Sequence, residues 1–590
     1  MEKIKTIQYG ISSFADISEN NAYYVDKTMF IPEIEKTKFS FFIRPRRFGK
    51  SMLLSMLALY YDLANKENFD TLFKDTWILN NPTDERGKYL VLYLDFSMVI
   101  QETENIQERF ENYCCSEIDA FLKKYKDFIS EDTVEIVKQI PSSGEKLNNI
   151  AIGLRDTNYK FYIFIDEYDN FTNTLLSDKG NLLYQQITRE TGFFKSFFRV
   201  LKGLTGGIRS GLARLFMTGV SPITLDDVSS GFNIGTNISL MPEYNTLLGF
   251  TDKDVNDIFD YYISAGQYPL NKADALHLLK KWYDNYIFSD DSEESVYNTD
   301  GVLYFMLFTI NKNRFPKKII DENLRMDYTK LQNLVFHGEE LNGNFDTLTE
   351  IINNGTISAN INQSFSFNLL KESENYKSFL YFLGLLTFTG KFYEGKALLQ
   401  VPNETIKHLV YDYVKNILRK PYGRLNWIED LIDLVSKMAY RGDFKPAFDY
   451  IQKLLKIQTS VRDFIDGEAV VKTFHLIYLN INDFYTSYSE KEMNKGFADI
   501  VLFPFYQKYP DMKYAYLVEL KYIKKEFEGE KLSQEINNKI KDATEKLTKY
   551  SEDHHSKKEF NIAPFGDVVL KKIIVVYHGW ELVYCEELVL

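Results

Sequence analysis

The sequence predicts an α/β protein with an N-terminal parallel sheet domain, a helical middle region and a smaller C-terminal α/β domain. Three observations lead to this prediction. RPRRFGKS at 44–51 joins an apolar strand to an apolar helix, and YIFIDEYD at 162–169 is an apolar strand that ends in carboxylates. GFADIVLF at 496–503 and AYLVELKY at 515–522 are strands in which charged side chains interrupt apolar runs. The first two segments are typical of phosphate binding, and the last pair is typical of a metal-dependent site.

A chain of 590 residues has the length of about four domains. Hydrophobic residues make up 45% of it and charged residues 26%, which is the balance of a globular protein with packed cores. We place the domain boundaries so that the sheet domain covers 1–248, the helical region 249–425 and the C-terminal α/β domain 426–590.

The N-terminus MEKIKTIQYGISSF lacks the apolar stretch of a secretory signal, and no run of about 18 uncharged apolar residues occurs. We therefore expect a cytoplasmic protein that does not bind membranes. A net charge of −13 argues against a nonspecific polyanion binder but allows a local basic channel. The three cysteines form neither a disulfide framework nor a zinc pattern.

The tripeptide Gly49-Lys50-Ser51 lies between a predicted strand, KFSFFI, and a predicted helix, SMLLSMLALYYDL. In this order the free N–H groups at the helix start point at phosphate oxygens. Lys50 would meet the β and γ phosphates of ATP, and the Ser51 hydroxyl would hold Mg²⁺. The segment therefore predicts a P-loop NTPase domain.

The phosphate-binding loop departs from the usual spacing, because Arg44 stands where the first glycine is expected. Gly49 and the helix amides still allow phosphate contact. Arg46 or Arg47 would supply positive charge to the phosphates in this loop, which lacks the first glycine.

The run NYKFYIFIDEYDN reads as a central parallel strand buried on both faces. Asp166 at its end would hold Mg²⁺ through water, and Glu167 would orient or deprotonate the attacking water. The alternative is an ordinary strand that ends in a solvated acidic turn. Two further strands, at 88–97 and 213–222, complete the sheet, and Thr218 either senses the γ phosphate or simply caps its strand.

Between 249 and 425 the sequence alternates amphipathic helices with short loops. A helix, a β-hairpin around Thr389-Gly390 and another helix suggest a winged-helix-like arrangement. Such an element either binds DNA or packs domains together, and the modest basic content favours packing.

GFADIVLFPF and KYAYLVELKYI read as the two strands of a hairpin, which brings Asp499 beside Glu519 and Lys521. The two carboxylates would hold Mg²⁺, while Lys521 would orient water and stabilise negative charge. Upstream, Glu468 on a predicted helix offers a further acidic contact, and we expect His475 to pack in the core. The segment KLSQEINNKIKDATEKLTK reads as a solvated helix face of mixed charge.

These segments occur in a fixed order with others: NAYYVDKTMFIPEI, FIRPRRFGKSMLLSML, FIDEYDN, FMTGVSPIT, LLGFTDKDV and WYDNYIF…VYNTDGVLYF. From about residue 9 to about residue 550 the chain resembles the bacterial AAA-ATPase-like family that carries a C-terminal PD-(D/E)XK nuclease-like domain. The resemblance implies that arginine at position 44 is a family trait and that Glu468 matches the acidic residue of the first nuclease-domain helix. Relatives often have glutamine at the position of Lys546.

The residues and the resemblance together predict an ATP-hydrolysing protein whose restriction-endonuclease-like domain uses Mg²⁺ to cleave nucleic acid, with DNA as the expected substrate. ATP would gate or position the nuclease. Two alternatives stay open: a nucleotide-dependent switch whose C-terminal fold binds without catalysis, and a structural or signalling protein. Retention of the acidic and basic site residues argues against both. A homo-oligomer with an arginine finger from a neighbouring subunit also stays open, with no residue assigned to it.

Overall fold

The computed structural model describes residues 3–99, 105–170, 187–188, 192–206, 210–224, 227, 235–324, 344–419, 427–457, 467–493, 496–506, 508–551 and 568–589. The chain forms two compact units, Met1–Leu341 with Ser358–Thr405 and Asn342–Ile357 with Ile406–Leu590. The three-domain division made from the sequence stays a prediction. Within the described ranges, no helix is both long and apolar enough to cross a bilayer.

The N-terminal unit contains a five-stranded parallel sheet of order β2-β3-β4-β1-β5. Its strands are β1 (Phe39–Ile43), β2 (Tyr89–Asp95), β3 (Lys160–Asp166), β4 (Leu212–Gly219) and β5 (Thr236–Asn237). Burial along both faces of β3 fits a parallel strand covered by helices on each side. The register pairs Ile43 with Gly219 and Ile165 with Met217, so the carboxyl ends of β1, β3 and β4 meet at one edge.

Helices surround the sheets of both units. In chain order they are α1 (Phe14–Glu19), α2 (Ile31–Glu35), α3 (Lys50–Tyr61), α4 (Phe69–Leu72), α5 (Trp77–Asn80), α6 (Ile106–Lys124), α7 (Glu131–Gln139), α8 (Ser143–Gly153), α9 (Phe193–Gly206), α10 (Asp252–Ser264), α11 (Lys272–Tyr283), α12 (Thr299–Lys312), α13 (Asn344–Asn354), α14 (Ser373–Phe382), α15 (Glu404–Arg419), α16 (Trp427–Arg441), α17 (Lys445–Ile457), α18 (Glu468–Leu479) and α19 (Gly529–Ser551). Of these, α13, most of α15 and α16 to α19 belong to the C-terminal unit. The helical middle region predicted from the sequence is confirmed, and its α10 begins at a capping box of Thr251 and Asp254.

A small sheet of order β6-β8-β7 contains the hairpin that the sequence predicts in the middle region. Its strands are β6 (Thr356–Ala359), β7 (Thr387–Tyr393) and β8 (Lys396–Gln400). The predicted turn position is wrong, because β7 runs past Gly390 and turns at Glu394 and Gly395, with φ of 49° and 78°. Positive φ at both central residues is what a tight hairpin turn requires. Gly390, with φ of 70°, instead lies at a bulge in β7.

The C-terminal unit contains a mixed five-stranded sheet of order β13-β12-β11-β10-β9. Its strands are β9 (Tyr485–Met493), β10 (Gly496–Pro504), β11 (Tyr514–Ile523), β12 (Val569–His578) and β13 (Glu581–Glu587). The β10–β11 pair is antiparallel, as the predicted hairpin requires, whereas β11 and β12 are parallel and separated in sequence by α19. Ala543, Leu547 and Tyr550 of α19 pack against this sheet. The crossover helix therefore lies next to β11, which carries the predicted site residues.

His475 lies in the core of the C-terminal unit, as the sequence predicts. Its side chain is fully buried, Nδ1 lies 2.9 Å from the Val471 carbonyl oxygen, and the ring contacts the rings of Phe448 and Tyr577. Burial lowers the pKa of His475 from 6.5 to about 4. The folded protein therefore keeps this imidazole neutral at neutral pH.

We expect His475 to make the C-terminal unit acid-sensitive. Its pKa is lower in the folded state, so the unfolded state binds an extra proton below pH 6.5. This contribution to stability is complete above about pH 6.5 and falls by about 3 kcal/mol by pH 4. Chemical unfolding at several pH values should show a shallower pH dependence in His475→Gln than in the wild type. The matched exposed variant His277→Gln should follow the wild type, and equal slopes in all three proteins would contradict the prediction.

Candidate functional site

The segment 44–49 connects β1 to α3, which begins at Lys50, in the strand–turn–helix order that the sequence predicts. Gly49 precedes α3 and has a φ of 92°. A Cβ at this position would meet only Leu248, at 4.0 Å, so the left-handed backbone rather than crowding calls for glycine. The first main-chain N–H groups of α3 have no partners within the helix, and such a helix start attracts anions.

Arg44, in place of the usual first glycine, is buried below this loop. Its guanidinium donates hydrogen bonds to the carbonyl oxygens of Ser239 (2.7 Å) and Tyr244 (2.9 Å). The same group lies 4.2 Å from the ring centroids of both Phe42 and Phe288. Arg44 therefore anchors the base of the loop to the interior of the N-terminal unit.

Replacing Arg44 with the usual P-loop glycine is expected to destabilise the folded protein. Arg44→Gly removes three hydrogen bonds to carbonyl oxygens and leaves a cavity between two aromatic rings, so we expect a loss of about 3 kcal/mol in unfolding free energy. Thermal unfolding of the full chain measures the loss, with the exposed Arg155→Gly as the matched control. A melting temperature equal to that of the wild type would show that Arg44 has no anchoring role.

Arg46 and Arg47 lie on the loop itself, where the sequence suggested that one of them supplies charge. Arg47 has a φ of 68° and lies 3.2 Å from the carboxylate of Asp300. Arg46 lies 3.5 Å from the amide oxygen of Asn170. The structure thus places both guanidinium groups beside the loop, and their contact with a ligand stays a prediction.

Lys50 is buried, and its ammonium donates to the carbonyl oxygens of Arg44 and Pro45, both at 3.0 Å. Burial lowers the pKa of Lys50, while the nearby carboxylates of Glu167 and Asp166 act in the opposite direction. The ammonium therefore lies between the loop and the acidic end of β3.

Asp166 ends β3 and is the hub of a buried hydrogen-bond network. Thr218 donates its hydroxyl hydrogen to Asp166 Oδ1 at 2.6 Å, and the Glu167 main-chain N–H donates to the same oxygen at 2.9 Å. Tyr93 donates to Oδ2 at 3.3 Å. Thr218 is fully buried, so its hydroxyl orients Asp166 in this structure, and γ-phosphate sensing by Thr218 stays a prediction.

Glu167 follows Asp166 with a φ of 48°, which is uncommon for a residue other than glycine. Burial raises the pKa of Glu167 to about 7, and Lys50 opposes this shift. Asp169, which sequence reasoning did not single out, accepts hydrogen bonds from the main-chain N–H groups of Val220 and Ser221. That carboxylate fixes the chain where it leaves β4.

The groups at this edge fit a nucleotide with magnesium. A free helix start and a buried ammonium suit phosphate oxygens, and the Ser51 hydroxyl with the Asp166 carboxylate offers the hard oxygen ligands of Mg²⁺. Ser51 is the second residue of α3 and is half-buried. The P-loop-like arrangement is therefore complete except for the first glycine.

The second site lies on β10 and β11. Ile500 is opposite Val518, and the same register continued by one residue sets Asp499 opposite Glu519. Asp499 Oδ2 accepts a hydrogen bond from the Leu520 main-chain N–H at 2.8 Å. Hairpin pairing thus brings together the two carboxylates that the sequence predicts to act together.

Asp499 and Glu519 are both removed from water. Burial and the charge of Glu519 raise the pKa of Asp499 to about 7, against the opposing effects of the Leu520 N–H and two lysines. Glu519 is 0% exposed, and its Oε1 lies 2.9 Å from the ammonium groups of both Lys521 and Lys546. Its Oε2 is buried and accepts no hydrogen bond from any described residue. A cation would satisfy this oxygen and relieve the repulsion between the carboxylates.

Lys521 links β11 to the crossover helix. Besides Glu519 it contacts Asp542 of α19 at 2.8 Å. Burial lowers the pKa of Lys521, but Glu519 and Asp542 outweigh burial and raise it overall. The interpretation of 531–549 as only a solvated face is therefore wrong for Asp542 and Lys546, because one side of α19 packs on β11 and carries them to the site.

Lys472 and Glu490 also belong to this neighbourhood, although sequence reasoning missed them. Lys472 of α18 forms an ion pair with Glu490 of β9, and its charge partly opposes the rise in the pKa of Asp499. Glu468 lies one turn earlier on α18 and is exposed. The sequence offered one indication of Lys472: it follows Glu468 by four residues, which places both side chains on one face of the predicted helix.

Within the described part of the chain, no group of three or more His, Cys, Asp or Glu side chains is placed to hold a metal ion. Glu468 therefore does not join Asp499 and Glu519 as a third ligand in this structure. Two protein carboxylates still suit Mg²⁺, which keeps several waters and accepts substrate phosphate oxygens. The carboxylate pair thus fits a magnesium ion whose coordination the substrate completes.

The fold and the two sites define a protein that joins a P-loop-like α/β domain to a mixed-sheet domain with a buried Asp and Glu-x-Lys constellation. Comparison with protein families agrees. Residues 8–229 match the family described as predicted AAA-ATPase, and residues 466–587 match the PD-(D/E)XK nuclease superfamily. The chain therefore combines an AAA-ATPase-like domain with a domain of the PD-(D/E)XK nuclease superfamily.

A curated relative is known from Azotobacter chroococcum mcd 1, where it is named an uncharacterized protein in the vnfD 5′ region. This chain is similar to it, with 27% identity over 305 residues. The matched region is 51% of this chain and 51% of the relative, so the chain spans about half the length of that relative.

Proposed function

We propose that this protein binds and hydrolyses ATP in its N-terminal unit and uses a Mg²⁺-dependent site in its C-terminal unit to cleave nucleic-acid phosphodiesters. The observation that carries the proposal is the buried Asp499–Glu519 pair with Lys521 beside it. An acidic pair of this kind is costly to keep without a cation, because both carboxylates lose hydration.

The C-terminal residues divide the chemistry among them. Asp499 and Glu519 would hold Mg²⁺, which supplies Lewis-acid polarisation of the phosphate and of water. The raised pKa keeps Lys521 an ammonium at neutral pH, so it serves as a hydrogen-bond donor and a stabiliser of negative charge. Lys546 shares Glu519 Oε1 with Lys521 and helps to keep the carboxylate fixed.

The N-terminal residues suit phosphoryl transfer from ATP. The start of α3 and Lys50 would bind the β and γ phosphates, and Ser51 with Asp166 would hold the Mg²⁺ of the nucleotide. Glu167, at the end of the same strand, would orient the attacking water. ATP binding or hydrolysis would gate or position the nuclease.

The test is cleavage of single- and double-stranded DNA and RNA by the full chain, with Mg²⁺ or Mn²⁺ and with or without ATP. We expect metal-dependent cleavage, with DNA the preferred substrate, and a change in rate when ATP is added. Calorimetry with Mg-ATP tests the first unit independently. ATP binding without cleavage of any nucleic acid would reject the nuclease and favour a nucleotide-dependent switch whose C-terminal fold binds without catalysis.

A further inference from the structure

Two ammonium groups converge on one oxygen of the C-terminal site. Lys521 and Lys546 each place Nζ 2.9 Å from Glu519 Oε1. Lys521 belongs to β11 itself, whereas Lys546 reaches the oxygen from α19, which packs on that strand. The side chain of Lys521 is 8% exposed and that of Lys546 is 41% exposed. Of the two lysines, Lys546 is therefore more open to a molecule that arrives from the solvent.

The two ammonium groups also differ in how many of their N–H donors the protein uses. Lys521 contacts Glu519 and, in addition, Asp542 of α19 at 2.8 Å. An ammonium has three N–H donors. Within the described ranges, Lys546 forms an ion pair with Glu519 and with no other residue, and this contact engages one of its donors. Lys546 therefore has donors left for a ligand.

The charges of the site balance except for Lys546. Asp499 and Glu519 together balance the proposed Mg²⁺, and Asp542 balances Lys521. The nearby lysine of α18 already forms an ion pair with a glutamate of β9. One positive charge is left over at Lys546, and a phosphodiester carries one negative charge. Because charges withdrawn from water are costly unless they are paired, this balance favours a phosphate at Lys546.

We infer that Lys546 binds the scissile phosphate of the nucleic acid while its ammonium keeps its contact with Glu519. The inference rests on the proposed nuclease function and adds a substrate-binding residue to it. Lys546 thereby joins the phosphate to a carboxylate that is offered to the cation, and its point charge recognises a phosphate rather than a base. Relatives with glutamine at this position would lack this charge-assisted contact.

The first test is the salt dependence of DNA binding by the full chain made inactive by Asp499→Asn. The probes are a fluorescein-labelled single strand and the blunt duplex of the same sequence. Each phosphate that a lysine neutralises adds about 0.7 to the slope of log K against log [salt] for a single strand and about 0.9 for a duplex. We expect Lys546→Met to reduce the slope by one such step and the affinity about tenfold.

Two further variants separate charge from hydrogen bonding at this position. Lys546→Arg keeps the positive charge and should keep the salt slope. Lys546→Gln can still donate a hydrogen bond to Glu519 but carries no charge, so its slope should match that of Lys546→Met. Lys541→Met is the matched control, because Lys541 is exposed on the same helix, about 140° around the helix axis from Lys546. Its slope and affinity should equal those of the Asp499→Asn parent.

The second test is calorimetric titration of the full chain, with Asp499 intact, with Mn²⁺ and without nucleic acid. Asp499→Asn identifies the heat that belongs to this site. We expect Lys546→Met to bind Mn²⁺ at least as tightly as the wild type. The variant loses one positive charge beside Glu519, and Lys521 still holds Glu519 Oε1. A lysine that only held Glu519 in place for the cation would give the opposite result, a loss of Mn²⁺ affinity.

The outcomes separate this inference from the proposed function. An unchanged salt slope in Lys546→Met, or a slope that Lys546→Gln restores, overturns the phosphate contact and leaves the nuclease standing if the wild type cleaves nucleic acid. Weaker Mn²⁺ binding by Lys546→Met would limit this lysine to holding Glu519 and overturns the inference as well. Absence of cleavage by the wild type with every metal and substrate rejects the nuclease itself, and with it the assignment of this phosphate as the scissile one.

Discussion

Asp499→Asn is expected to reduce metal-dependent cleavage about 1,000-fold or more without unfolding the protein. The substitution keeps the side-chain shape and an oxygen that accepts the Leu520 N–H, but it removes one of the two carboxylates offered to the cation. A 1,000-fold loss corresponds to about 4 kcal/mol of transition-state stabilisation, which is the size expected when a metal ligand is lost. Steady-state cleavage of a labelled oligonucleotide, compared with the wild type, measures the effect.

The thermal stability of the Asp499→Asn protein should not fall with its cleavage activity. Burial and Glu519 raise the pKa of Asp499 from 3.8 to about 7, so the folded state disfavours its charge at every pH above the unfolded value. A neutral asparagine removes this cost, and we expect a melting temperature equal to or above that of the wild type. Asp511→Asn, at an exposed turn, is the matched control and should leave cleavage unchanged. Cleavage by Asp499→Asn at the wild-type rate would show that Asp499 does not hold the catalytic metal.

The parallel sheet of the N-terminal unit and the β10–β11 hairpin of the C-terminal unit could be predicted, because the apolar pattern of each strand agrees with its position in the folded protein. The strands of the parallel sheet are almost continuously apolar, and their polar ends converge because parallel strands share an edge. In the same way, alternation along β11 placed Glu519 and Lys521 on one face, and antiparallel pairing brought Asp499 beside them. Each of these features depends on a short segment or on one pair of neighbouring strands.

The contacts that sequence reasoning missed depend on distant segments. Arg44 stands where a P-loop glycine is expected, and its anchoring role was not predicted, because its partners include the carbonyl oxygen of Tyr244, about two hundred residues further along the chain. The segment 531–549 read as a solvated helix face, and the resemblance marked Lys546 only as a departure from the glutamine of relatives. The packing of α19 on β11 carries the Lys546 ammonium to Glu519. The hairpin turn was placed at Gly390 because a bulge and a tight turn both use a glycine with positive φ. The sequence around a residue does not show which distant segment it contacts, or whether a glycine with positive φ lies at a bulge or at a turn.

Lys50→Met is expected to weaken Mg-ATP binding at least about 100-fold. An ammonium makes charge-assisted hydrogen bonds to phosphate oxygens worth about 1.5 to 3 kcal/mol each, and methionine of similar length makes none. Isothermal titration of the full chain with Mg-ATP measures the loss. Any effect of ATP on nucleic-acid cleavage should disappear in the same variant, while cleavage without ATP stays at the level of the wild type.

The buried position of Lys50 makes a folding control necessary. Lys50→Met leaves the Arg44 and Pro45 carbonyl oxygens without their donor, which costs about 1 to 3 kcal/mol, but it also removes an ammonium whose pKa burial lowers. Because these effects oppose each other, the melting temperature without nucleotide should stay close to that of the wild type. Lys38→Met, exposed just before β1, is the matched control and should bind Mg-ATP normally. Unchanged ATP affinity in a folded Lys50→Met protein would place the nucleotide elsewhere. If Lys50→Met lost its affinity for Mg-ATP but ATP still changed its cleavage rate, ATP binding at this site would not control the nuclease.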